Sequence, residues 1–204
     1  MDINNTNTNP IQIVAFSTND TYQTPNDFIN IFLSFQKHKI LKKSHHSISF
    51  NLTIPNVSYP VKIMVYTVSK FDRSYSGLCD VNCYMIFINI DESEANKKLD
   101  DIITYMQNNC DESKKIFIFA ISNNQSNDNQ TGLTKDDIVE KFQSIGKKIE
   151  IKVINNLEKT SDICDYFIKI FLYSHNHLRK KDHYNHDDED CFKNKGQSGS
   201  CNII

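Results

Sequence analysis

The segment Ile11–Phe32 combines an apolar run, a polar loop and an amphipathic helix, and it constrains the fold more than any other part of the chain. Ile11–Phe16 is apolar and partly β-branched, which is typical of a buried strand. Thr24 followed by Pro25 indicates a helix start, because threonine caps helices and proline fits the first helical position. The segment therefore predicts a strand, a loop of eight residues (Ser17–Thr24) and a helix.

A strand, a loop of this length and a helix are the context of the phosphate-binding pattern G-x-x-x-x-G-K-[ST]. On that pattern Ser17 stands at the first glycine, Tyr22 at the second, Gln23 at the lysine and Thr24 at the final position. A phosphate cradle needs backbone amides presented by glycine, together with a cation. Tyr22 carries a large ring and Gln23 is neutral. The sequence thus predicts a degenerate phosphate loop in which Thr24 serves as a helix cap.

Charge and cysteine usage exclude several classes of protein. The 23 basic and 25 acidic residues nearly balance, so we expect no nucleic-acid partner. The six cysteines are scattered, and Cys79 and Cys83 lack a matching second pair, so neither a zinc site nor a disulfide framework is predicted. Residues 1–10 are polar rather than a signal peptide, and no apolar run approaches the roughly 20 residues of a membrane helix. These features favour a reduced, cytosolic compartment.

Five further segments have the composition of strands, and helical apolar stripes follow three of them. The strands are predicted at Ser47–Ile54, Pro60–Thr67, Tyr84–Ile90, Ile116–Ile121 and Ile149–Ile154. Helices are predicted after a cap at Ser93, after a capping box at Thr134–Asp137, and around Ile163 as far as Tyr173, with a short one near Ser74–Asp80. Lys37–His46 (KHKILKKSHH) is interpreted as a basic loop.

This order of elements predicts an α/β fold with a six-stranded, mostly parallel sheet, one antiparallel strand and helices on both faces. The short connection between the second and third strands favours a hairpin, and the other connections favour right-handed crossovers. The domain spans residues 11–174, between a disordered tail (1–10) and a flexible tail (175–204). A ligand in such a sheet lies beyond the carboxyl ends of the strands.

Over about residues 11–173 the chain resembles the Ras superfamily of small GTPases, and most nearly the Rab family. CDVNCYMIFINIDESEANKKLDDIITYMQNNC is similar to the Rab pattern of an apolar strand, an acidic turn and a helix ending in Asn-x-Cys. IFIFAISNN resembles the strand before the guanine-reading N-K-x-D motif, and HSISFNL resembles the effector-loop Thr-Ile-Gly segment, with Ser47 replacing the threonine. The resemblance implies a small-GTPase-like P-loop fold, GTP or GDP with Mg²⁺ as cofactor, and a role in vesicle transport.

The nucleotide motifs that the resemblance implies are incomplete in this chain. Asn123 matches the asparagine of N-K-x-D, but Asn124 and Ser126 replace its lysine and aspartate. The D-x-x-G segment falls near Tyr66–Ser69 and lacks both its carboxylate and its glycine. The remaining nucleotide-binding candidates are Ser17, Tyr22, Gln23, Thr24 and Asn123, with Ser47 as the effector-loop candidate. No catalytic residue and no protein-bound metal site are predicted, and most of the expected nucleotide and Mg²⁺ contacts are absent.

The sequence ends in Cys201-Asn202-Ile203-Ile204, which has the form of a C-a-a-X prenylation box. A prenyl group on Cys201 implies attachment to the cytoplasmic face of a membrane, a cytosolic pool, and protein effectors or a prenyl chaperone as partners. We therefore expect a prenyl-anchored, partner-binding pseudo-GTPase of membrane traffic. The alternatives are a functional GTP switch regulating vesicle transport and an unrelated enzyme on the same fold.

Overall fold

The computed structural model describes residues 9–19, 23–44, 46–68, 81–111, 113–122, 133–155 and 160–193, with side chains as far as residue 178 and excluding that of Gln23. The elements follow in the order β1 (Ile11–Ser17), α1 (Gln23–Ser34), β2 (His38–Lys43), β3 (Ser47–Leu52), β4 (Val61–Val68), β5 (Cys83–Asn89), α2 (Ala95–Asn109), β6 (Ile116–Ile121), α3 (Lys135–Gln143), β7 (Ile149–Ile154) and α4 (Thr160–Lys193). The short helix predicted near Ser74–Asp80 lies outside the described residues.

The described strands form one seven-stranded sheet in the order β2-β3-β4-β1-β5-β6-β7. Strand β3 runs antiparallel to both β2 and β4, whereas the other neighbouring strands are parallel. The predicted α/β class and the mostly parallel sheet with an antiparallel element are confirmed. The predicted number of six strands is wrong, because β2 is added at the edge of the sheet.

Strand β2 lies inside Lys37–His46, the segment that was predicted to be a basic loop. All six of its side chains are exposed, so it lacks the pattern of apolar residues that burial imposes on a strand. It forms because its backbone pairs with β3, in a register that shifts between Ile40 and Lys42. The shift leaves Leu41 as an extra residue of the kind found in a β-bulge. Backbone pairing, which leaves no trace in composition, therefore decides this element.

Helices cover both faces of the sheet. Helices α1 and α4 share one core cluster, which includes Phe32, Phe50 and Phe171. Helices α2 and α3 share the cluster on the opposite face, which includes Leu99 and Phe142. Every side chain of β6 is buried between these clusters, and burial on both faces explains its continuous apolar sequence.

Aromatic rings fill the core between the sheet and α4. The rings of Phe87 and Phe119 stack with centroids 4.5 Å apart, and the Phe167 ring lies 5.1 Å from that of Phe119. Tyr166 meets Phe119 edge-on at 4.8 Å. The Tyr166 hydroxyl donates to the Glu150 carbonyl at 2.7 Å, so this buried ring also satisfies its polar end.

Two helix starts differ from the prediction. Helix α1 begins at Gln23, so Thr24 lies in its first turn and not at its cap. The Thr24 hydroxyl bonds to the side chain of Asn19. Helix α2 begins after Glu94 rather than after Ser93, and Glu94 makes no side-chain cap bond. In neither case does the predicted residue occupy the cap position.

Helix α3 begins as predicted, whereas α4 is longer than predicted. Thr134 Oγ1 accepts from the Asp137 N–H at 3.2 Å, and the Asp137 carboxylate accepts from the Thr134 N–H at 2.8 Å, which completes the capping box. Helix α4 was expected to end near Tyr173 but continues to Lys193. Within the described part of the chain, no helix has the length and apolarity required to cross a membrane.

Candidate functional site

The candidate site is the crevice beyond the carboxyl ends of β1 and β5. After β1 the chain passes through α1 toward one edge of the sheet, and after β5 it passes through α2 toward the other edge. These two helices lie on opposite faces, which leaves the strand ends open between them. In open α/β sheets, ligands bind at such a reversal of strand order.

The turn after β1 is held against β5 by hydrogen bonds. The Thr18 N–H donates to the Phe87 carbonyl at 3.0 Å, and the Thr18 hydroxyl accepts from the Asn89 N–H at 3.2 Å. Ser17, the residue predicted at the first glycine position, is only 7% exposed. Its hydroxyl accepts from the Asn19 N–H at 3.1 Å. Both hydroxyl groups therefore stabilise the turn itself.

The carboxylate of Glu92 lies beside this turn and accepts from two side-chain amides. With the Asn19 amide oriented to satisfy both of its partners, its nitrogen donates to Glu92 Oε2 at 2.9 Å and its oxygen accepts from the Thr24 hydroxyl at 3.1 Å. Asn89 Nδ2 donates to Glu92 Oε1 at 3.1 Å. The Glu92 carboxylate therefore occupies side-chain amide donors near the start of α1. A helix N-terminus is a place where an anionic ligand would otherwise be favoured.

A second carboxylate, that of Asp91, links the turn after β5 to β6 and β7. Ser122 Oγ donates to Asp91 Oδ1 at 3.0 Å, and the Asp91 N–H donates to Asn89 Oδ1 at 3.3 Å. The Ser122 N–H donates to the Ile154 carbonyl at 2.9 Å. Adjacent polar contacts therefore join the carboxyl ends of β1, β5, β6 and β7.

A cavity of about 170 Å³ opens between this network and α1. Its walls are partly amide, hydroxyl and carboxylate and partly apolar, and they are formed by Asn19, Thr24, Asp27, Phe28, Ile31, Asn89 and Ile121. Small-molecule sites usually enclose about 300–1,000 Å³. The space that the described residues enclose here is therefore smaller than a nucleotide needs.

The charges around this cavity are negative. Asp27 lines it, and the carboxylates of Asp91 and Glu92 lie in the adjoining turn. Burial raises the pKa of Asp27, and the nearby positive charge of Lys43 acts in the opposite direction. Lys43 Nζ donates to Asn30 Oδ1 at 3.2 Å on α1, and among the described residues that line the cavity none is basic. The crevice therefore disfavours phosphate.

A larger cavity of about 510 Å³ lies between α2 and α3. Its lining includes the acidic side chains of Asp137 and Glu140, and Lys141 on its wall forms an ion pair with Asp100. Within the described ranges, no group of three His, Cys, Asp or Glu side chains is placed to hold a metal ion. This cavity offers polar walls without a recognisable catalytic arrangement among those residues.

Two of the predicted nucleotide-binding residues meet at the crevice. Ser17 ends β1 and Thr24 lines the small cavity. Gln23 begins α1 beside them. The other candidates, Tyr22, Asn123 and the lipidation residue Cys201, lie outside the described residues.

The effector-loop candidate Ser47 lies farther along the same edge of the sheet. It begins β3, where its register partner on β4 is Tyr66. Its hydroxyl lies 2.9 Å from that of Ser44, so it closes the turn between β2 and β3. One strand, β4, lies between β3 and β1 in the sheet, and Ser47 is not among the residues that line the crevice cavity.

The side chains that shape the crevice are not among the residues predicted from the sequence. These side chains are those of Asn19, Asn89, Asp91, Glu92 and Ser122. Each lies at the end of a buried strand or just beyond it, and polar residues at that position are a usable signal for a site. Their pairing joins segments far apart in the chain, which composition cannot reveal.

No protein-family model matches this chain. No curated protein matches it significantly. The family that the sequence motifs suggest therefore stays a prediction.

Proposed function

We propose that this protein is a Rab-like pseudo-GTPase of vesicle and membrane traffic, with a small-GTPase-like P-loop fold and a degenerate nucleotide site. It is attached by a prenyl group to the cytoplasmic face of a membrane and acts by binding protein partners. The observation that carries the proposal is the Glu92 carboxylate, held by Asn19 and Asn89 beside the loop that follows β1.

A phosphate group beside this loop meets an unfavourable environment. Two like unit charges 4 Å apart repel by about 4 kcal/mol at an effective dielectric constant of 20. Displacing Glu92 also breaks its bonds to Asn19 and Asn89, and a hydrogen bond to a charged group is worth about 1.5–3 kcal/mol. These costs oppose the tight nucleotide binding that a GTP switch requires.

The sequence supports a degenerate nucleotide site, and the architecture of the sheet supports a small-GTPase-like fold. Gln23 cannot supply the cation of a phosphate-loop lysine, and Ser126 cannot accept two guanine N–H groups as an aspartate does. The mostly parallel sheet, with β3 reversed beside β4, agrees with the order of elements that suggested the family.

The proposed lipid site is Cys201 in the terminal C-a-a-X sequence. Because α4 reaches Lys193, only seven residues (194–200) separate the helix from Cys201. The part of α4 as far as Leu178 packs against the core, so at 1.5 Å per residue the 15 residues that follow it in the helix add about 22 Å. The domain would then stand off the bilayer on a helix and a short tether.

Isothermal titration of the full chain with GTP and GDP in the presence of Mg²⁺ tests the nucleotide part. We expect no binding tighter than about 100 μM. Glu92→Gln, which removes the internal charge, should bind inorganic phosphate more tightly than the wild type. Glu94→Gln makes the same charge change at an exposed position and should not. Nucleotide that copurifies at equal molar ratio would overturn the proposal and favour a functional GTP switch.

Fractionation of cells that express Cys201→Ser tests the membrane part. Loss of the prenyl group should release the protein from membranes, since lipid burial contributes about 0.8 kcal/mol per CH₂ group. Cys191→Ser is the matched control and should leave the distribution unchanged. Retention of Cys201→Ser on membranes at the wild-type level would exclude a prenyl anchor.

A further inference from the structure

The large apolar side chains that are exposed in the described part of the chain all lie within one short segment, residues 35–41. Phe35 is 61% exposed, Ile40 47% and Leu41 43%. Phe35 follows α1, and the other two residues belong to β2. A cluster of exposed apolar side chains on a folded domain marks an interaction surface.

The same segment is the edge of the sheet. Strand β2 has β3 on one side, and the described sheet has no strand on its other side. Backbone N–H and C=O groups along that outer side are therefore free of sheet partners among the described residues. An exposed edge of this kind is a template for another extended segment.

The two faces of β2 differ in chemistry. In the register with β3, Ile40 lies opposite the buried Phe50, on the face that α1 covers. Lys39 and Lys42 lie opposite polar residues of β3, on the other face. Directly paired residues share a face of the sheet, so the edge offers an apolar contact on one side and positive charge on the other.

Three lysines at this edge form no ion pair with a described carboxylate, whereas Lys43 lies near Asp27. Lys37, Lys39 and Lys42 are exposed, and the ion pairs between described residues involve other lysines. The strand itself, HKILKK, contains no acidic residue. Electrostatic complementarity therefore selects a partner that carries negative charge.

We propose that β2 is a docking edge for an extended acidic segment of a partner protein. The segment adds as a further strand, with apolar residues toward Ile40 and with acidic residues toward Lys39 and Lys42. A lipid surface supplies charge but no backbone groups to pair with the edge. Pairing with β2 of a second copy would bring lysines next to lysines, and these like charges repel each other. The inference rests on the proposed function for the role of the partner, but its test involves no nucleotide, so the two can fail separately.

The first experiment titrates the full chain into a fluorescein-labelled peptide of alternating glutamate and valine, with anisotropy as the readout. Lys39→Glu combined with Lys42→Glu should weaken binding at least about tenfold, which corresponds to about 1.4 kcal/mol. Lys97→Glu combined with Lys135→Glu makes the same charge change at exposed lysines of α2 and α3 and should leave the affinity unchanged. Equal weakening by both double variants would show net-charge attraction alone and overturn the proposal.

The second experiment separates strand pairing from simple charge attraction. The same peptide with N-methyl groups at the alternate residues whose N–H groups face β2 should bind at least about tenfold more weakly, because those donors to the β2 carbonyl groups are lost. Hydrogen exchange of residues 38–43 should slow when the unmethylated peptide binds. Equal affinity for both peptides would overturn the proposal. So would binding to phosphatidylserine vesicles without peptide binding, or self-association that leaves the edge closed to the peptide.

Discussion

Strands β2 and β6 have the same length and belong to the same sheet, yet every side chain of β2 is exposed and every side chain of β6 is buried. Strand β6 lies between β5 and β7, with a core cluster on each face. Strand β2 has a neighbour on one side only. Hydrogen bonding makes both segments strands, but the layers that cover them decide their roles: β6 supports the core, whereas β2 offers a surface for binding.

Phe119→Ala should produce the largest loss of stability, because it removes a large buried side chain of β6 and leaves a cavity in the core. The ring is fully buried and packs against those of Phe87, Tyr166 and Phe167. Removing a buried phenylalanine ring costs about 3–5 kcal/mol in the free energy of unfolding, measurable by urea denaturation. A loss below about 1.5 kcal/mol would mean that the core can collapse around this site.

Tyr166→Phe keeps the ring beside β6 but removes its hydroxyl. That hydroxyl donates to the Glu150 carbonyl at 2.7 Å, and burial raises the pKa of Tyr166 far above its usual value. The variant should lose about 1–2 kcal/mol of unfolding free energy, because the partly buried Glu150 carbonyl loses a partner. Unchanged stability in urea would show that water or a neighbouring donor satisfies that carbonyl.

Glu150→Gln should flatten the acid limb of the stability curve. Burial acts to raise the pKa of Glu150, but hydrogen bonds and charges from Lys115 and Lys169 outweigh it and lower the pKa. A lowered folded-state pKa contributes stability above the unfolded value of about 4.3, and that stability is lost as the pH falls through the folded value. The effect should not exceed about 1 kcal/mol.

Thermal unfolding of Glu150→Gln between pH 5 and pH 3 gives this measurement. Glu140→Gln is the control, since Glu140 is an exposed residue of α3. If the two variants lose stability with acid equally, the contacts of Glu150 with Lys115 and Lys169 contribute nothing.

Ile40→Ala should have the smallest effect on folding, because Ile40 lies on β2 and is 47% exposed. Substitutions at such positions usually change the free energy of unfolding by less than about 0.5 kcal/mol. The same variant should weaken binding of the glutamate-valine peptide, which needs the apolar contact. A large loss of stability would show that β2 supports the core after all and would remove the contrast with β6.

Much of the core was predictable because burial imposes a local pattern. Strands β6 and β7 begin and end where their apolar runs predicted. The α3 capping box formed as its Thr134 and Asp137 indicated, since both partners lie within one helical turn. The crevice was only partly predictable, because Thr24 and Ser17 were found from spacing but the Asn19–Glu92 contact joins two separate turns.

The sequence by itself determined the α/β class, the order of the buried elements and the apolar face of each helix. The reason is that the spacing of apolar residues along the chain follows which side chains are buried. Only the tertiary structure decided that HKILKK forms a strand, that Thr24 bonds to Asn19 instead of capping α1, and that α4 continues past Tyr173. The first two depend on contacts with nearby residues that composition does not encode: the backbone of β3 for HKILKK, and the side chain of Asn19 for Thr24. For the extension of α4 beyond Tyr173, the sequence lacks the buried apolar stripe that would have marked it.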